Sequence, residues 1–217
     1  QTKSSTPNKM RIFNNGSICR EIDRSAIIDM HPLSSYYFGS KFPTPTDNES
    51  PQERLRRMEF NYNARGLRTC VLGVILVELF KQPHLLLLQA RNSVFKLPGG
   101  RLRQGESEFD GLKRKLSKLL SSSEDQTNWE VVESIGVWWR ADFETPLVPR
   151  IPPNGITPKE CVKLFLVTPP ESREFIVPRN LKMLAVPVYQ LRGNSKTYGN
   201  LIAGVPQMLS KFSFHIP

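Results

Sequence analysis

The sequence predicts an α/β fold with helices flanking a sheet, and three observations predict it. The run Leu85 to Gln89, with four consecutive leucines, is too short to span a membrane and reads as a buried strand. Directly after it, Phe95-Lys96-Leu97-Pro98-Gly99-Gly100 breaks the chain into a tight loop. Beyond Glu106, apolar residues recur at Phe109, Leu112, Leu116, Leu119 and Leu120, the three-and-four spacing of one helix face. Strand, glycine loop and helix form one unit, and the remaining elements are arranged around it.

The elements follow in chain order. Residues 1–30 are polar and basic, with Lys3, Lys9, Arg11, Arg20 and Arg24, and are expected to be a flexible segment. An extension over 31–66 begins with the aromatic cluster Tyr36-Tyr37-Phe38. Burial of these rings is favoured over base stacking, because consecutive side chains on an extended segment divide between core and surface. Pro51 opens a helix to about Ala64 that carries Arg54, Arg56 and Arg57, and Gly66 closes it. The main domain is expected over 67–217. Arg68 to Leu79 reads as a long strand, Gln82-Pro83 as the turn, and Leu85 to Gln89 as the second arm of a hairpin. Ser121 to Asn128 is expected to be an exposed connection. Val131 to Arg140 is the next strand and ends in Trp138-Trp139, of which at least one ring should be core. Lys163 to Val167, Phe175 to Val177 and Leu184 to Val188 are further strands. A closing helix from about Leu201 to Phe212 carries Ile202, Val205, Leu209 and Phe212 on one face.

Composition bounds the function. A chain of 217 residues with 39% hydrophobic content is long enough for a proper core, and 18 prolines fit a loop-rich globular fold. The formal charge of +10 favours polyanionic partners, RNA being the natural one, although charge alone is equally consistent with a merely basic surface. Cys19, Cys70 and Cys161 have neither metal nor disulfide spacing, which suggests a reducing compartment. His31, His84 and His215 are too far apart to suggest a metal or catalytic set. No phosphate-binding GKS or GKT loop, zinc spacing or serine-hydrolase elbow is present, and no stretch is a membrane helix or signal peptide.

The loop and helix resemble a Nudix box, a fold element whose signature is a glycine, five residues, a glutamate, seven residues, then Arg-Glu-apolar-x-Glu-Glu. Gly100, Glu106 and Arg114 fit it. Where Nudix hydrolases carry helix glutamates that hold magnesium on a diphosphate, this chain has Lys115, Lys118 and Leu119. Magnesium takes hard oxygen ligands and ammonium groups repel it, so the box over 100–122 reads as degenerate: no catalytic residue, metal or cofactor is expected. Further segments extend the resemblance: Pro32 to Lys41, Gly66-Leu67-Arg68-Thr69-Cys70, Trp138-Trp139-Arg140, Pro158-Lys159-Glu160-Cys161, Val177-Pro178-Arg179-Asn180 and Leu209-Ser210-Lys211-Phe212. From about His31 to Phe214 the chain resembles the small (25 kDa) Nudix subunit of cleavage factor I, most closely its plant members.

The resemblance implies a Nudix-type α/β/α sandwich acting in the nucleus as a homodimer in pre-mRNA 3′-end cleavage and polyadenylation. It implies that each subunit binds single-stranded UGUA, and that the dimer holds a larger subunit carrying an RNA-recognition-motif domain. Contacts with poly(A) polymerase and other 3′-processing factors go with that role, and no membrane does. The family's RNA-binding positions fall on Arg54, on Ser93, Val94, Phe95 and Leu97 before the glycines, and on Tyr198-Gly199. Three positions depart from the family pattern. The loop at 42–48 reads Phe42-Pro43-Thr44-Pro45-Thr46 where an acid is expected, Leu72 replaces a strand acid, and Val94 stands where animal members place a stacking ring. Losing a good polar base contact costs about 1–3 kcal/mol by analogy with duplex readout. Three readings therefore stand: an RNA-binding subunit with UGUA preference, a scaffold paralogue with weak or altered preference, and, disfavoured by the missing glutamates, a Nudix hydrolase.

Overall fold

The computed structural model describes residues 27–45, 49–90, 94–122, 129–151 and 157–216. Its central sheet grows from the hairpin of β3 (Arg68–Leu79) and β4 (Gln82–Ala90), with Leu76 opposite Leu85 and Leu79 opposite Gln82. The turn is therefore Phe80-Lys81, not Gln82-Pro83, which lie within β4. Both turn residues have positive φ, 53° and 57°, the left-handed pair whose twist matches that of a two-residue hairpin. Glu78 secures the turn by accepting the Lys81 N–H at 2.5 Å.

Parallel β8 (Glu160–Thr168) lies on the other side of β3, followed by antiparallel β7 (Glu130–Arg140). β10 (Lys182–Pro187) borders β4, giving the order β10-β4-β3-β8-β7. Short β5 (Val94–Lys96) pairs with β4, and β6 (Gly99–Arg101) pairs with β3. Side chains alternate across the sheet, so Cys70, Val74 and Leu76 enter one core while Val71, Ile75 and Val77 enter another. Because both faces are covered, Leu85 to Leu88 are all buried, which is why the strand reads as an unbroken apolar run.

One face is covered by α2 (Glu108–Leu120), whose Leu112, Leu116 and Leu120 are fully buried with Trp129 and Phe175. Ser107 caps this helix by accepting the Asp110 N–H at 3.1 Å. At its other end Lys41 Nζ donates to the carbonyls of Lys118 and Ser121, at 2.8 and 2.6 Å, and satisfies two helix-end acceptors. Ser121 is accordingly buried, against the expectation of an exposed start to that connection; residues 123–128 lie outside the described residues.

The opposite face is covered by α3 (Val188–Leu191), α4 (Ser195–Ala203) and α5 (Val205–Leu209). Ile202, Val205, Leu209 and Phe212 are all buried, so the apolar face is as predicted, but one continuous closing helix is not. Gly204 and Pro206 break it, and proline brings no N–H to the helical ladder. Gly204 also makes room for Trp138, whose ring atom Cζ2 stands 2.8 Å from where a Cβ would be. Trp138 is core, and Trp139 is half-buried and paired with Val148.

The extension is woven into the domain. β2 (Tyr37–Lys41) pairs in parallel with β9 (Glu174–Pro178). Tyr36 is buried, Phe38 stacks on Phe175 with centroids 5.4 Å apart, and Tyr37 points outward. Burial pushes the Tyr36 hydroxyl up to about 12. Residues 1–26 lie outside the described residues, but the expected looseness of 1–30 fails at its edge. β1 (Ile27–Asp29) pairs in parallel with β11 (Ser213–His215), burying Ile28 and Met30.

α1 (Pro51–Arg65) buries no residue and depends on its ends. Ser50 and Glu53 form a capping box, and Gly66, at φ 73°, donates its N–H to the Tyr62 carbonyl at 2.7 Å. Arg57 grips Glu49 with two bonds of 2.6 and 2.7 Å. On the domain side Tyr62 meets Phe143 edge-on and carries Lys159 Nζ 4.1 Å above its ring.

Candidate nucleic-acid interface

The glycine loop is shaped by contact with β3. Gly99 has φ 143°, and a Cβ there would lie 2.2 Å from the Val71 carbonyl oxygen, so only glycine lets β6 approach this closely. The loop then delivers Glu106 to Arg114. Arg114 donates Nε to Oε1 at 2.5 Å and Nη2 to Oε2 at 2.6 Å, and the Arg103 N–H donates to Oε2 at 2.8 Å. The arginine bonds foremost, then the backbone bond, hold the Glu106 carboxyl down at about 2. Glu106 thus satisfies a backbone donor of its own loop and the Arg114 side chain of α2.

The helix positions beside it carry cations. Lys115 and Lys118 open onto a cavity of about 780 Å³ with Arg65, Arg101, Arg103 and Arg114, while Leu119 packs into the α2-side core. Burial, followed by repulsion from Arg114 and Lys118, lowers the Lys115 ammonium. Among the described residues no group of three or more His, Cys, Asp or Glu side chains is placed to hold a metal ion.

The structure brings part of the sequence-predicted site together on the opposite face. Phe95 and Tyr198 are in ring contact, with centroids 4.8 Å apart and planes tilted by 52°. Val94 beside them is 48% exposed, an apolar side chain offered to solvent. Gly199 interrupts α4 with φ 80° and ψ 160°, and among the described residues nothing lies within 4 Å of where its Cβ would be. Tyr198 therefore stands at an open kink. Leu97 is buried in the core, so only its backbone can face a ligand, and Ser93 lies outside the described residues.

Arg54 is not in contact with these rings. It is exposed on α1 and lines a cavity of about 500 Å³ with Glu49, Leu55, Arg140, Phe143 and Glu144. Both groups nevertheless occupy one end of the sheet, since α1 leads through Gly66 into the start of β3, where antiparallel β4 ends. Leu72 is half-buried against the core and paired with Gly99. A side chain at that point offers packing and no acceptor.

A buried ionic cluster beneath α1 was not visible in the sequence. Glu160 receives Arg68 Nε at 3.1 Å and Arg140 Nε at 2.9 Å, and the Cys70 thiol donates to it at 3.4 Å. Glu160 and Arg140 are too distant in the chain from Arg68 and Cys70 for any local pattern to link them. Arg101 and Arg103 were legible as Gly-Gly-Arg-Leu-Arg, but their place in the cavity was not.

Loop, helix and two-faced sheet together define a Nudix-type domain, and residues 26–212 match the family model described as nucleotide hydrolase. The chain is 53% identical over 207 residues to the pre-mRNA cleavage factor Im 25 kDa subunit 1 of Arabidopsis thaliana, covering 94% of this chain and 93% of that protein. It is 46% identical to subunit 2 from the same plant, over 88% of this chain and 97% of that one. Identity is 42% with the cleavage and polyadenylation specificity factor subunit 5 of Dictyostelium discoideum, over 83% and 91% of the two chains. The chain belongs to the family of cleavage factor Im 25 kDa subunits, built on the Nudix fold.

Proposed function

We propose that this chain is a non-hydrolytic RNA-binding subunit of the pre-mRNA 3′-end cleavage and polyadenylation machinery, working in the nucleus. The observation that carries this reading is the Phe95–Tyr198 ring pair at an open, basic end of the sheet, in a chain whose relatives are named as cleavage factor subunits. Unpaired bases stack on aromatic faces, and planar guanidinium donors such as that of Arg54 suit base edges. Backbone groups around Val94 to Leu97 and the open Gly199 kink supply contacts that do not depend on side-chain identity. On this reading the ligand is single-stranded RNA of the UGUA type, bound by a homodimer that also holds a larger subunit with an RNA-recognition-motif domain. Lys115, Lys118 and Leu119 in place of carboxylates, with Glu106 bound to Arg114, support binding without hydrolysis.

One observation favours a second reading, a scaffold with weak sequence preference. Leu72 packs where a base-reading acid is expected, and leucine has no acceptor to offer. Titrating UGUA-containing and scrambled RNA at physiological salt separates the two. A clear preference for UGUA supports the base-reading subunit, whereas equal and salt-sensitive binding to both supports the scaffold. Magnesium-dependent release of phosphate from nucleoside diphosphate derivatives would overturn both.

A further inference from the structure

The cavity beside the glycine loop has a charge pattern that the tetranucleotide reading does not use. Its walls carry six cationic side chains, Arg65, Arg101, Arg103, Arg114, Lys115 and Lys118, and one carboxylate, Glu106. That carboxylate is already gripped by Arg114. The other five make no ion pair among the described residues, although they crowd one cavity. They come from the end of α1, from β6, from the loop, and from two α2 positions one turn apart.

We propose that this cavity, the counterpart of a hydrolase's metal site, is a second anion site that grips the phosphate backbone of single-stranded RNA flanking the tetranucleotide. Three features select this ligand. The cations come from four separate segments around the cavity, which suits a row of phosphates. Among the described residues no aromatic ring lines the cavity, so a ligand there is held by its phosphates and not by a base. Finally, Arg101 also lines an adjoining cavity with Arg57, Arg68 and Lys159 beneath α1, so the basic surface continues toward the helix that carries Arg54. Lysines where a hydrolase keeps carboxylates would supply, without metal, the positive charge that magnesium otherwise brings to phosphates.

The proposal rests on the RNA-binding reading above. Its test uses the whole chain, two labelled RNAs and a salt series. One RNA is the UGUA tetranucleotide alone, and the other is the same sequence flanked by uridine tracts. The variant is Arg103→Gln with Lys118→Gln, both exposed, so the fold is retained and circular dichroism checks it. The variant should bind the flanked RNA several-fold more weakly, with a log–log salt slope shallower by about 0.7 per lost contact. Binding of the bare tetranucleotide should be unchanged, and Arg103→Lys with Lys118→Arg should behave like the parent. Unchanged affinity and slope on flanked RNA would overturn the proposal. So would a variant that loses inorganic pyrophosphate binding in calorimetry yet holds flanked RNA like the parent, because the cavity would then serve a free diphosphate. A parent chain that binds UGUA no better than its scramble overturns only the base-reading function, since the slope change does not depend on sequence.

Discussion

The cavity around Glu106 and the ring pair of Phe95 and Tyr198 lie at the same end of one sheet, on opposite faces, and are built from opposite materials. The first is lined by cations around a carboxylate held by Arg114. The second is an apolar platform beside an open glycine kink, with Val94 exposed at its side. In a Nudix hydrolase the carboxylates of the box are the chemistry. Here the box has a mechanical role, closing α2 over Gly73 through Leu116. The difference teaches that the glycines and buried leucines of such a loop serve packing independently of its acids.

The largest effect should come from breaking the architecture under both regions. Leu116 is fully buried against Gly73, and Leu116→Ala should cost about 2–5 kcal/mol of stability, read by urea unfolding. Breaking only the platform should leave stability nearly intact. Phe95→Ala should weaken binding of UGUA-type RNA by about 1–3 kcal/mol, measured by anisotropy, while Tyr198→Phe keeps the ring and changes little. If Phe95→Ala binds RNA like the parent, the platform is core packing for α4 and nothing more.

A smaller effect should follow from Arg54→Ala. Arg54 is solvent-exposed and lies apart from the rings, so its loss should lower UGUA affinity without altering the fold. An equal loss on scrambled RNA would make it a phosphate contact and not a base reader. The smallest effect concerns pH. The Glu106 carboxyl titrates at about 2 in the folded chain, against an ordinary value of 4.5. The unfolded chain therefore binds its proton first as pH falls. Its stabilisation is fully present above about 4.5 and fades as pH drops toward 2. Glu106→Gln should flatten the acid limb of a stability–pH curve in that window and leave the neutral region parallel. An unchanged acid limb would mean that the Arg114 bond contributes nothing in solution.

Much of the fold was legible because its signals are local. The apolar run at Leu85 to Leu88, the periodic leucines of α2 and the Pro51/Gly66 brackets of α1 each depend on neighbours a few residues away. What failed was also local, but subtler. Phe80-Lys81 adopts a left-handed turn without a glycine to announce it, and Pro206 divides a helix whose apolar face continues unbroken. The site was legible only in pieces. Phe95 and Tyr198 are separated by most of the domain in sequence, and nothing near either residue says that the other lies beside it.

The sequence by itself determined the element types, the two-sided burial of the sheet and the placing of Lys115 and Lys118 on the α2 helix. These follow from periodicity and residue chemistry at fixed spacings. Only the tertiary structure decided that Phe95 meets Tyr198, that Glu160 gathers Arg68, Arg140 and Cys70, and that cations from α1, β6 and α2 share one cavity. Such contacts arise when distant segments pack on a common sheet, and their geometry depends on strand order and register, which local spacing does not encode.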